Sequence, residues 1–268
     1  MEYNQKFIPE GWNDTPQAFS LEELNNASIN GDIMQAKVTK CDSNYNLYLD
    51  LGNNLTGVIP REEVEALSVD EEGFPKPNIC MSKVNKYVQF KVKDLSKKDT
   101  IILSRKAVEK DASSWVKNEL KEGMEVLGIV KNIRPYGAFV EIGGGVVGLV
   151  HIEDISVARI KSPSERFKIG QKIKIMIKSI DKKTNRVILS YKEMLGSWED
   201  NIKDFQEGMT VKGIIRETEK NKNGIFIELK PNLIGLAEYK ENMEYGKDVD
   251  VYIKRIIPEK KKIKLVIM

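Results

Sequence analysis

Histidine is all but missing from this 268-residue chain, where His151 stands alone. Its scarcity removes most chemistry built on imidazole bases and most zinc centres. Cysteine is nearly as rare. Cys41 and Cys80 lack the paired spacing of metal sites and are expected to be free thiols rather than a disulfide. No apolar run reaches the length of a membrane span, and the opening "MEYNQKFIPEGWNDTPQ" lacks the basic-then-apolar layout of a secretory signal. The expected location is therefore the cytoplasm, with no membrane partner. Neither Lys-Ser/Thr nor a helical pattern follows Gly143–Gly145, which favours a hairpin turn over a phosphate-binding loop. No cofactor and no metal site are expected.

What is present is a polar, globular composition with 41% hydrophobic and 31% charged residues, on a chain long enough for two or three domains. The net charge of +3 is unevenly spread: Gly123–Gly196 holds 13 Lys and Arg against 7 Asp and Glu. One phrase opens three units, "GDIMQAKVTK" from Gly31, "GMEVLGIVKN" from Gly123 and "GMTVKGIIRE" from Gly208. Each opening leads to a ring-bearing alternating strand, a Lys-rich alternating strand and a short closing strand. Starts 92 and 85 residues apart suit small independent domains rather than a solenoid. Five short antiparallel strands per unit predict a closed barrel, which removes exposed sheet edges.

The expected division is an acidic, weakly structured arm with a short helix at 1–29, barrels at 30–107, 123–192 and 207–268, and linker helices at 108–122 and 193–206. Ser20 and Glu23 form a capping-box signature. Trp115, Val116 and Leu120, then Trp198, Ile202 and Phe205, fall at helical spacing, as expected for linkers packed on a neighbouring barrel.

In every unit an aromatic and an acid share the face opposite the aliphatic one: Tyr48 with Asp50, Phe139 with Glu141, Phe226 with Glu228. The acid marks that face as wet, so the rings are expected in solvent, where unpaired bases stack on them and Lys or Arg neutralise phosphates. In the middle unit the rings are Tyr136 and Phe139, with His151 ending the next strand and Lys131, Arg134, Lys174, Lys178 and Arg186 as cations. The competing reading is that the rings cover a barrel end or meet a neighbouring unit.

The stretch "GIVKNIRPYGAFVEIGGGVVGLVHIEDIS…GQKIKIMIKSIDKKTNRVILS" closely resembles the S-one domain, an RNA-binding repeat, and the units on either side resemble it more weakly. The resemblance implies an all-β chain with short connecting helices, built as three tandem five-stranded oligonucleotide-binding (OB-fold) barrels. It also implies that Tyr136, Phe139, His151, Asp181 and Arg186 are RNA-binding residues. The first unit keeps Tyr45 and Tyr48 but has Pro60 at the histidine position and Thr100 near the arginine position. The third keeps Phe226 and Lys262, with Asn223 and Glu238 at the tyrosine and histidine positions. Affinity is expected in the order middle, first, third.

The function these features imply is non-catalytic binding of single-stranded RNA in translation or RNA handling. The alternative is an adaptor that docks onto a ribosome or an RNA-processing enzyme. The acidic runs Glu62, Glu63, Glu65 and Asp70–Glu72 are read as solvated loop charges rather than a nuclease centre.

Overall fold

The computed structural model describes residues 5–66, 69–96, 100–218 and 224–268. After α1 (Leu21–Asn30), capped at Ser20 by the expected box with Glu23, the first barrel comprises β1 (Met34–Cys41), β2 (Leu47–Asp50), β3 (Thr56–Ile59), β4 (Tyr87–Asp94) and β5 (Ile101–Ser104). A short α2 (Pro77–Met81) lies in its long β3–β4 connection, and α3 (Arg105–Asn118) leads out of it. The second barrel is β6 (Glu125–Arg134), β7 (Gly137–Glu141), β8 (Val147–His151), β9 (Lys172–Asp181) and β10 (Arg186–Ser190). After α4 (Trp198–Ile202) the third follows as β11 (Thr210–Thr218), β12 (Ile225–Lys230), β13 (Leu233–Ala237), β14 (Asp248–Ile257) and β15 (Lys262–Ile267). All three sheets close, with the same order of strands, first-second-third-fifth-fourth.

Alternation explains the closure. Leu47 and Leu49, Ala138 and Val140, and Ile225 and Ile227 are fully buried, each set inside its own barrel. The strands are not all antiparallel, as the alternation alone suggested: the third and fifth of each barrel run parallel. The long third-to-fourth connection carries the chain across the barrel end, so the fifth strand enters beside the third in the same direction. Every first strand also carries a one-residue bulge, at Thr39, Lys131 and Arg216.

The linkers pack as their spacing predicted. Trp115, Val116 and Leu120 are buried in the second barrel's cluster, and Trp198, Ile202 and Phe205 pack against the third's. The first linker helix starts earlier than expected, at Arg105. The second is only five residues long, because Gly196 breaks the chain at positive φ and Ser197 caps a new start.

From Gln5 on, the described part of the arm is not weakly structured. Phe7 is 2% exposed, lies 5.4 Å from the Trp115 ring and joins the second barrel's core, while Phe19 joins the first's. Gln5 donates to the Ile142 carbonyl and accepts from the Leu127 amide, both at 2.7 Å. One extended segment thus lashes two barrels together. No helix among the described residues is long and apolar enough to cross a membrane.

Candidate nucleic-acid interface

Strand register decides which side chains share the outer face of the second barrel. Asn132, Phe139, Leu149 and Ile188 sit opposite one another across four strands and form one row. One step along lies a second row, Arg134, Gly137 and His151. At the other end, two residues before Leu149 and Ile188 on their strands, are Val147 and Arg186. At ~3.3 Å per residue these three levels span about 13 Å. Gly137 is required at its position: a Cβ there would lie 2.3 Å from the Val150 carbonyl oxygen.

The rings stand on this face. Tyr136 is 50% exposed, Phe139 is partly exposed, and they meet edge to face with centroids 6.1 Å apart. His151 has a half-open side chain whose Nδ1 lies 3.7 Å from Glu153. Arg134 and Arg186 are exposed and have no ion-pair partner among the described residues. The register brings Phe139, His151, Arg134 and Arg186 onto one face, and the ring contact sets Tyr136, from the turn between β6 and β7, beside Phe139.

The other expected contacts lie elsewhere or are engaged. Lys178 sits 2.7 Å from both oxygens of buried Asp154, and Lys192 lies 3.0 Å from the same carboxylate. Burial pushes the Asp154 carboxyl up, but bonds from Lys178 and Lys192 outweigh it and hold the pKa below the usual range. Lys174 pairs with Glu125. Lys131 donates to the Glu10 carbonyl at 3.0 Å and lies 3.4 Å from Glu141. Asp181 closes the β9–β10 turn by accepting from Thr184 and Lys183.

Glu141 corrects the reading of a wet acid beside Phe139, since it is only 2% exposed. The arm covers it: the Glu10 amide donates to its Oε2 and the Gly143 amide to its Oε1, both at 2.9 Å. In the third barrel Glu228 is likewise covered, 5% exposed, and bonded by Arg216 and by Arg166 of the second barrel. Alternation reports which face a side chain takes, and another part of the chain can cover that face.

Burial, then the nearby Glu10 charge, push the Glu141 carboxyl up to about 7 against the opposing pull of Lys131 and Arg105. Glu10 is held low: burial would raise it, but Arg105 and Lys83 outweigh that, so it stays ionised near neutrality. A carboxyl with a raised folded-state pKa contributes most below its unfolded pKa, and that contribution is lost as pH rises through about 7. Urea midpoints will therefore fall between pH 5 and pH 8, and E141Q will flatten that change. An unchanged slope in E141Q would remove Glu141 as its source.

In the first barrel the Arg61 guanidinium lies 5.1 Å from the Tyr45 ring centroid and 5.3 Å from that of Phe74. Tyr48 donates to Asp42 at 3.3 Å, and Lys40 lies 4.3 Å from its ring. In the third barrel Phe226, Trp198, Leu236 and Lys262 line a cavity of about 930 Å³, and Glu238 is exposed. Asn223 lies outside the described residues. Leu149, Asn132 and Ile188 belong to the ring row although none carries a ring or a charge that marks it in the sequence. The alternation of "VGLVH", which places Leu149 on the face of His151, was the available signal.

The S1 RNA binding domain family matches residues 29–106 and 119–192, more than half of the chain. The small ribosomal subunit protein bS1 of Staphylococcus aureus strain N315 is 31% identical over 253 residues, covering 88% of this chain and 61% of that relative. Its counterpart in Rickettsia conorii is 34% identical over 194 residues, covering 66% of this chain and 34% of the relative. The chain thus spans about three fifths of the length of the staphylococcal protein. The solution structure of GSP13 from Bacillus subtilis aligns over 30% of this chain and 61% of its own at 24% identity, with a TM-score of 0.28.

Proposed function

From the premise that this chain belongs to the S1 RNA-binding domain family, we propose that it is a non-catalytic binder of single-stranded RNA acting in the cytoplasm in translation, with the second barrel as its main binding face. The observation that carries this reading is the ring pair of exposed Tyr136 and partly exposed Phe139, flanked by Arg134 and Arg186. Bases stack on the two rings, and His151 meets a base edge or a phosphate. The arginines neutralise the backbone without reading sequence. Three levels over about 13 Å give room for a few consecutive nucleotides.

Phe139→Ala is expected to weaken binding of a labelled unstructured oligoribonucleotide by about 1–3 kcal/mol, read by fluorescence anisotropy, with affinity falling as salt rises. An unaltered affinity in a folded F139A protein would take that ring out of the interface.

A second reading is favoured by the third barrel, which lies outside the family match, carries Glu238 in place of a histidine and walls its ring face with Trp198. In that reading it docks the chain onto a ribosome or an RNA-processing enzyme. Capture of such a partner that persists after ribonuclease digestion separates it from RNA-bridged association.

A further inference from the structure

Helix α3 joins the first two barrels and falls almost wholly between the two family matches. Its first two turns border a cavity of about 1320 Å³ between those barrels. Lys106 and Lys110, four residues apart and so on one face of the helix, are both exposed and both line it. Of the carboxylates on that wall, Glu63 is engaged by Lys93 and Ser104, Glu109 by Arg105, and Glu65 lies 3.9 Å from Arg105. Lys110 has no ion-pair partner among the described residues, and Lys106 donates to the Glu62 carbonyl at 3.4 Å, its charge adding to the pull of Lys93 on Glu63.

The cavity runs into the ring face. Val147 lines it and also stands on the outer face of β8 with Leu149 and His151. Asn185, which precedes Arg186, lines it as well, and its Nδ2 donates to Ser113 Oγ of α3 at 2.6 Å. That bond pins the β9–β10 turn to the helix and fixes Arg186 relative to the two lysines.

We propose that an RNA strand held on the ring face continues past Val147 and Arg186 into this cavity, where Lys106 and Lys110 hold its phosphates on the way to the first barrel. The inference rests on the second barrel's ring face binding RNA. Its ligand is the phosphodiester backbone, so the contacts add affinity without sequence preference.

The test uses the full chain and labelled oligouridylates of about 5 nucleotides, near the lower site size of one barrel, and of about 18 nucleotides. Lys106→Gln with Lys110→Gln should weaken the longer RNA about tenfold and lower its log-log salt slope by about 1.4, two phosphate contacts at about 0.7 each for a single strand. Binding of the shorter RNA should hold, and the double arginine variant should restore the longer. Both lysines are exposed, so thermal melts should match the parent. Undiminished binding of the longer RNA, or equal weakening at both lengths, overturns the inference. If F139A still weakens both lengths, the ring-face reading survives that result. If F139A changes neither, the ring-face reading fails, and this inference with it.

Discussion

Replacing Arg105 by methionine will destabilise the folded chain by about 3–5 kcal/mol, the usual cost of leaving one member of a buried ion pair without its partner. The guanidinium is 4% exposed and grips Glu10 in two places, Nε to Oε1 at 2.7 Å and Nη2 to Oε2 at 3.1 Å. It also donates to the Val64 carbonyl and pairs with Glu109. Burial would lower its pKa, but Glu10 and Glu109 overcome that and the group stays charged. Without it, Glu10, itself 7% exposed, keeps the Gln89 amide at 3.1 Å and, as a cation, Lys83 at 3.9 Å. Urea unfolding followed by tryptophan emission measures the loss. Adding Glu10→Gln should recover much of it, because the stranded carboxylate is gone. A loss under about 1 kcal/mol in the single variant would mean the carboxylate is solvated by other means.

Phe7→Ala should cost a similar amount, about 3–5 kcal/mol, through the cavity it leaves. The ring packs on Trp115 and against the β7–β8 turn so closely that a Cβ on Gly144 would lie 2.9 Å from the Phe7 Cδ1. Loss of the ring should shift Trp115 emission to the red and open the arm to limited proteolysis, while Phe7→Leu keeps most of the stability. A protease-resistant arm in F7A would show that Gln5 and Glu10 suffice to hold it.

Much of this architecture was legible in the sequence because a barrel strand repeats with period two. Leu47, Ala138 and Ile225 announce their interiors, and the threefold phrase announces the number of barrels. The ring face was legible for the same reason, since Phe139 and His151 fall outward on neighbouring strands. What stayed hidden depends on contacts between distant segments. Phe7 sits in a polar stretch without periodicity, so nothing local says that it plugs a barrel more than a hundred residues away. Glu141 looks wet because alternation cannot distinguish water from an arm lying on the same face. Lys131 looked free because the bulge that turns it toward Glu141 is a property of paired strands, not of one.

The clasp between Gln5 and Ile142 joins positions 137 residues apart. Translation proceeds from the amino end, so Phe7 leaves the exit tunnel long before the turn that receives it has been made. Throughout that interval an apolar ring has no home, and the first barrel can close without it. Fastening Gln5 and Phe7 is therefore a late event, and a nascent chain stopped before Gly143 will hold its first barrel and the Glu10–Arg105 clasp but not the end of the strap that carries Phe7.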